Sequence, residues 1–181
     1  MEGYYLVVLT RVILDRMKEA VDLKLREEQA GFRKERSCTD QIATLRIIVE
    51  QTIEWQAPLY ICFVDFEKTF DSVDRQTIWN LLRHYGFQVN TGVRQVCLLS
   101  PLLFLVVLDW VTRTAYASFG KGIQRTLTGK LEDLEFVDDL ALLSHRLQDM
   151  KEKVDALGAI SQRVGLKINK EKTEVMRINN N

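Results

Sequence analysis

The sequence predicts an α+β fold in which a small antiparallel sheet carries a carboxylate centre. Two apolar runs that meet carboxylates predict the sheet, and helical stretches with apolar residues every three or four positions predict the rest. The first run is Leu134 to Ser144, Leu-Glu-Phe-Val-Asp-Asp-Leu-Ala-Leu-Leu-Ser. Apolar residues lead to Val137 and resume at Leu140; two such runs separated by two residues read as a β-hairpin, with Asp138 and Asp139 at its tip. The second run starts at Leu59 and stops abruptly at Asp65. It is apolar, aromatic and β-branched without alternation, the pattern of a strand buried on both faces. The two carboxylate-bearing strands are expected to be neighbours.

Carboxylates held side by side at a rigid turn repel, and each resists ionising beside the other. A hard cation relieves that penalty, and Mg²⁺ prefers oxygen ligands of this kind. A carboxylate at the end of a buried strand is costly unless it is paired or metal-bound. Asp65 and the Asp138–Asp139 pair could therefore meet around two metal ions about 3.5–4 Å apart, the arrangement used in phosphoryl and nucleotidyl transfer. Taken alone, the hairpin also reads as a solvated turn, because Asp is a common turn residue.

The totals set bounds. The 181 residues suffice for one substantial core. Twenty-five basic residues balance 25 acidic ones. That balance argues against a chain that covers a long nucleic acid by charge alone, and leaves room for a local basic groove. Cys38, Cys62 and Cys97 lie far apart, with neither a disulfide framework nor a zinc spacing, so a reducing compartment is expected. The first residues lack a basic leader and a cleavage site. The longest nearly apolar run, Cys97 to Leu108, contains Ser100 and Pro101 and is too short to span a bilayer. An intracellular protein, nuclear or cytoplasmic, with no membrane segment is the expectation.

In chain order, Arg11 to Glu28 predicts a helix on Ile13, Met17, Val21 and Leu25. The basic loop Gly31 to Ser37 could receive a triphosphate or be a solvated connector. Ser37 and Asp40 form a capping-box pattern before a helix whose apolar face is Ile42, Leu45, Val49 and Ile53. After the Asp65 strand, Asp74 caps a short helix bearing Ile78, Leu81, Leu82 and Tyr85, with Gly86 at its C′ position. Phe87 to Asn90 reads as a short strand. Ser100 and Pro101 open a helix to about Tyr116. Ile123 to Leu127 and Leu131 to Val137 flank a turn at Thr128-Gly129-Lys130. Gln148 to Val164 is helical on Met150, Val154, Leu157 and Ile160, and Gly165 stops it. Leu166 to Asn169 and Val175 to Ile178 are closing strands.

These motifs resemble the reverse transcriptase domain of non-LTR, LINE-type retrotransposons over nearly the whole chain. Gln29-Ala30-Gly31-Phe32-Arg33 through Arg36-Ser37 resembles the fingers segment. Phe63-Val64-Asp65 through Phe70-Asp71 resembles the first palm motif. Gly92-Val93-Arg94-Gln95 through Ser100-Pro101, Phe136-Val137-Asp138-Asp139, and Gly165 through Thr173 resemble the motifs that follow it, in the right order. The resemblance implies a polymerase palm, an antiparallel sheet backed by helices, over residues 58–181, with partial fingers over residues 11–57 in the same single domain and neither thumb nor endonuclease. It implies RNA-directed DNA synthesis: a dNTP joined to the 3′-hydroxyl of a DNA primer on an RNA template, with Mg²⁺ or Mn²⁺. Asp65 and Asp138 would hold the metal, with Asp139 supporting them. Phe70 would exclude the 2′-hydroxyl and Gln95 would lie along the nascent base pair. Arg33 and Arg36 would meet the triphosphate, and Lys172 would protonate pyrophosphate.

The chain departs from the family pattern. Val96 stands where the family usually has Gly, at a position used for close approach to a nucleotide. Glu35 stands where Gly is common, and Val137 where Ala is usual, a milder change. Only 20 residues separate Asp71 from Gly92, where the family carries a further helical segment. These departures imply a shortened copy with impaired or absent catalysis. The alternatives are a non-catalytic retrotransposon remnant or weak RNA-binding module, and, more remotely, a haloacid-dehalogenase-type phosphatase reading of Asp65-Phe66-Glu67-Lys68-Thr69, which needs a parallel sheet. In a version restored to activity, Phe70→Val should admit ribonucleotides; unchanged discrimination in single-nucleotide incorporation would make Phe70 a core residue only.

Overall fold

The protein is represented by a computed structural model that describes residues 2–67, 72–87, 100–117, 120–124 and 129–179, without the side chains of residues 2–10 and 13. In chain order the elements are α1 (Glu2–Asp22), α2 (Cys38–Glu54), β1 (Leu59–Val64), β2 (Phe66–Glu67), α3 (Arg75–His84) and α4 (Ser100–Tyr116). Then come β3 (Ile123–Gln124), β4 (Lys130–Leu131), β5 (Asp133–Phe136), β6 (Asp139–Ser144), α5 (Leu147–Arg163), β7 (Lys167–Ile168) and β8 (Glu174–Ile178).

The main sheet has the order β5-β6-β1-β8, and every pairing between described strands is antiparallel. The phosphatase reading, which needs parallel strands, is thereby overturned. β1 and β6 are neighbours, as the two carboxylate-bearing runs predict. Alternate residues of β1 feed two cores, as strand geometry requires. Tyr60, Cys62 and Val64, with Leu140 and Leu142, pack against α3, α4 and α5. Leu59 and Ile61, with Leu134, Ala141 and Leu143, pack against α2 and the β3–β4 pair. The sheet is thus the middle of three layers.

Capping chemistry accounts for several boundaries. Ser37 and Asp40 form the complete capping box of α2, and the Asp74 carboxylate accepts the Thr77 N–H at the start of α3. The buried stripe of α2 is rotated from the predicted one. Leu45, Ile48 and Val49 face the sheet, whereas Ile42 and Ile53 are exposed.

Elsewhere tertiary contacts override periodicity. α1 stops at Asp22 although the apolar spacing continues, because the Arg26 N–H bonds the Asp109 carboxylate at 2.8 Å. Arg33 takes over the helix end, donating to the carbonyls of Asp22 at 3.0 Å and Arg26 at 2.6 Å. The predicted strand from Leu131 to Val137 is broken at Glu132, between β4 and β5. There the buried Lys153 ammonium of α5 bonds the carbonyls of Glu132 and Leu143 at 2.8 and 2.7 Å and pairs with the Glu132 carboxylate. Phe87 lies in no strand, and residues 88–90 fall outside the described chain. Among the described residues no helix is long and apolar enough to cross a membrane.

Gly165 ends α5 at φ 84°, and a Cβ added there would stand 2.5 Å from the Ser72 carbonyl oxygen. Gly165→Ala combines left-handed strain with a backbone clash, a cost of about 1–3 kcal/mol. Thermal unfolding should report a loss of about 2–4 °C per kcal/mol; an unchanged melting temperature would mean that the Ser72 segment moves away freely.

Candidate active site

The β5–β6 hairpin is closed by a two-residue turn, Val137 and Asp138, between the paired residues Phe136 and Asp139. The tip is therefore Val137–Asp138, one residue earlier than the sequence implies, and Asp139 opens β6. Hairpin turns of this length require positive φ, and Val137 has φ 60°. A β-branched residue there is strained by about 1–3 kcal/mol, so Val in place of Ala is not a mild change. Backbone strain also explains the other glycine-like position, since Glu35 has φ 61°.

β1 delivers Asp65 to the same end of the sheet. Val64 pairs with Leu140, and one more step of that antiparallel register sets Asp65 across from Asp139. The electrostatics agree: partial burial raises the Asp139 carboxyl above its ordinary range, with further contributions from Asp138 and Asp65. The turn before β8 brackets Asp65 from the other side. The Asn169 N–H donates to the Asp65 carbonyl at 2.8 Å, and the Asp65 N–H donates to the Thr173 hydroxyl at 3.3 Å. Lys172 is exposed, immediately before Thr173. Beside Asp139 runs a half-open apolar groove of about 260 Å³ bounded by Cys38, Ile42, Phe63 and Phe136.

The donor set is all carboxylate oxygen, which suits a hard cation. Among the described residues no group of three or more His, Cys, Asp or Glu side chains could hold a metal ion by itself. Mg²⁺ sites commonly use one or two carboxylates and complete the shell with water and substrate phosphates.

Arg33 and Arg36 have their own partners. Arg33 pairs with Asp22 and reaches the carbonyls of Asp22, Arg26 and Gln29. Arg36 donates to the Glu27 carbonyl. Both line a polar pocket of about 510 Å³ with Glu27, Glu28, Glu35 and Asp40. Phe70 and Gln95 lie outside the described residues, as does Val96.

Sequence reading missed what stands behind the hairpin. Asp133 and Glu135 alternate with Leu134 along β5, and all three are buried. Arg26 grips Asp133 with two hydrogen bonds, of 3.0 and 2.8 Å, and also bonds Glu135. Burial opposes the Arg26 charge, but Glu135 and Asp133 raise its pKa well above the ordinary value. Burial drives the Glu135 carboxyl well up, with Asp133 adding to the rise and Arg26 opposing it. Asp109 of α4 joins the cluster through the Arg26 N–H, the Tyr85 hydroxyl and Arg113. The signal available in the sequence was Asp109, a carboxylate that ends the apolar run Leu102–Leu108 of α4.

A small antiparallel sheet between helices, with carboxylates at one end of its inner strands β1 and β6, defines a palm-type polymerase fold. The chain belongs to the reverse transcriptase (RNA-dependent DNA polymerase) family, which it matches over residues 5–180. Among known proteins it is similar to a non-LTR retrotransposon product. A curated relative is the retrovirus-related Pol polyprotein from the type-2 retrotransposable element R2DM of Drosophila melanogaster. The two are 25% identical over 193 residues, covering 91% of this chain and 18% of the relative. Among solved structures, apo telomerase from Candida tropicalis, truncated from its C-terminal domain, aligns with a TM-score of 0.61 at 14% identity, over 97% of this chain and 41% of that one. Telomerase from Candida albicans in complex with the TWJ fragment of telomeric RNA gives 0.57 at 11% identity, over 93% and 33%. At these identities the likeness is one of fold.

Glu135 generates a pH dependence. Its folded pKa lies above the unfolded value of 4.5, so the native state binds the extra proton. Its contribution to stability is full below about pH 4.5 and is lost as pH rises through the folded value. Melting temperatures measured upward from pH 4.5 should fall more steeply for the wild type than for Glu135→Gln; parallel curves would mean that Glu135 does not titrate there.

Proposed function

We propose that this chain carries the nucleotidyl-transfer centre of an RNA-directed DNA polymerase. The observation that carries the reading is the antiparallel register that sets Asp65 across from Asp139 beside the Val137–Asp138 turn. Asp65 and Asp138 would hold Mg²⁺ or Mn²⁺, and Asp139 would support them. The ions, when bound, supply charge for the attacking and leaving oxygens. The chain's own residues do the remaining work. The Thr173 and Asn169 bonds fix the backbone of Asp65, beside which a primer 3′-hydroxyl and a dNTP would meet on an RNA template. Lys172, next to Thr173, gives a proton to pyrophosphate on this reading. Phe70 and Gln95 contact the sugar and base by family position. Arg33 reaches the triphosphate only if it leaves Asp22, and Arg36 only if it leaves the Glu27 carbonyl. Residues 11–57 act as fingers and residues 58–181 as palm.

The isolated chain is a poor catalyst on this reading. Val96 adds a branched side chain where close backbone approach is needed, and the segment between Asp71 and Gly92 is short. Misplacement by about 1 Å costs roughly a hundredfold.

Two measurements test this together. Titration calorimetry should show Mn²⁺ binding that is weakened in Asp138→Asn; identical isotherms would remove the metal centre. Extension of an oligonucleotide primer on an RNA template should give no product above an Asp138→Ala control. Clear Asp138-dependent synthesis would keep the centre and overturn the impairment.

A further inference from the structure

Gln29 is completely buried beside the hairpin, and both ends of its carboxamide are engaged. Its Oε1 accepts the Gly31 N–H at 2.7 Å and the Val137 N–H at 3.2 Å. Its Nε2 donates to the Glu135 carboxylate at 3.1 Å. This pattern assigns the amide orientation, because the two backbone N–H groups need an acceptor and the carboxylate needs a donor. Glu135 is itself held by Arg26, and Arg26 by Asp133. A continuous chain of hydrogen bonds therefore runs from the buried guanidinium to the backbone of the strained turn.

The main chain supports the same path. β5 is an edge strand of the main sheet, and the segment before Gly31 covers that edge. The Ala30 N–H donates to the Glu135 carbonyl at 2.9 Å, and the Glu135 N–H donates to the Glu28 carbonyl at 3.2 Å. Gly31 comes as near to the turn as a backbone can, since a Cβ there would meet the Val137 nitrogen at 2.5 Å and its Cγ2 at 2.8 Å. A strained φ persists only where its surroundings over-determine it, and Gln29 supplies the side-chain bond made to Val137 itself.

We propose that Gln29 is a positioning residue: its carboxamide, anchored through Glu135 and Arg26, holds the Val137 N–H and thereby sets how Asp138 faces Asp65. This rests on the metal centre proposed above. Gln29 touches neither substrate nor metal, and acts through the turn.

A swap of the two partners tests it in the full chain. Gln29→Glu alone sets carboxylate against carboxylate, and Glu135→Gln alone sets amide donor against amide donor. The double variant restores each donor to an acceptor, with the same net charge. Gln29→Met, which keeps length without polar atoms, serves where a single variant folds poorly. The readouts are amide exchange at Val137 by NMR, with Leu142 as the internal control, and Mn²⁺ affinity by calorimetry. Exchange at Val137 should rise about tenfold in the single variants and in Gln29→Met, the factor that one net hydrogen bond of ordinary strength supplies. Leu142 should not change, Mn²⁺ should bind more weakly, and the double variant should recover both values. Unchanged Val137 exchange would overturn the proposal. So would a double variant that recovers its melting temperature while Val137 exchange and Mn²⁺ affinity stay altered, because Gln29 would then be structural only. If Val137 exchange follows the swap while wild-type Mn²⁺ binding ignores Asp138, the hold on the turn stands and the metal centre is what fails.

Discussion

The structure depends on the guanidinium of Arg26. It lies between α4 and β5, where Asp109, Asp133 and Glu135 are completely buried. Three carboxylates in an apolar core are tolerable only with cations among them. Arg26 and Arg113 supply two, and the third carboxylate, Glu135, accepts hydrogen bonds from both Arg26 and the Gln29 amide. Removing one partner of such a buried cluster costs about 3–5 kcal/mol, a large share of the stability of a domain this size. The cluster also joins parts that are distant in sequence: the segment after α1, the middle of α4, the end of α3 through Tyr85, and the hairpin strand β5.

That anchoring matters because the functional end of the sheet is unfavourable in itself. Asp65, Asp138 and Asp139 gather there, and their mutual field together with partial burial raises the Asp139 carboxyl. Val137 holds a left-handed conformation that a branched residue resists. The core offsets both. β1 and β6 are almost wholly buried up to the last residue before the carboxylates, so the strand ends are fixed by packing. The turn before β8 adds two backbone bonds to Asp65. Repulsion and strain are thus kept within a rigid frame.

Much of this was legible in the sequence for local reasons. The capping boxes, the Gly165 stop, the Asp65 strand and the hairpin each depend on residues close in the chain, whose effect is steric or a hydrogen bond to a near neighbour. Period-two burial also made the β1–β6 neighbourhood readable, because both runs are buried and both meet carboxylates. The tip was misread by one residue, since turn geometry depends on which pair closes the ladder, and Val137 gives no sign that it will adopt positive φ.

What only the tertiary structure decided is where charge goes. Asp133 and Glu135 alternate with apolar residues along β5, and the Arg33 loop reads as a phosphate site. Their partners lie far along the chain: Arg26 is 107 residues from Asp133, and the Gln29 amide is 108 residues from the Val137 N–H it accepts. No local pattern encodes such a pairing. The sequence by itself determined the strands, the caps and the family motifs, because propensity and periodicity act over one or two turns of chain. The fold decided which carboxylates are exposed for function and which are buried in its support, because that depends on the cation each one meets.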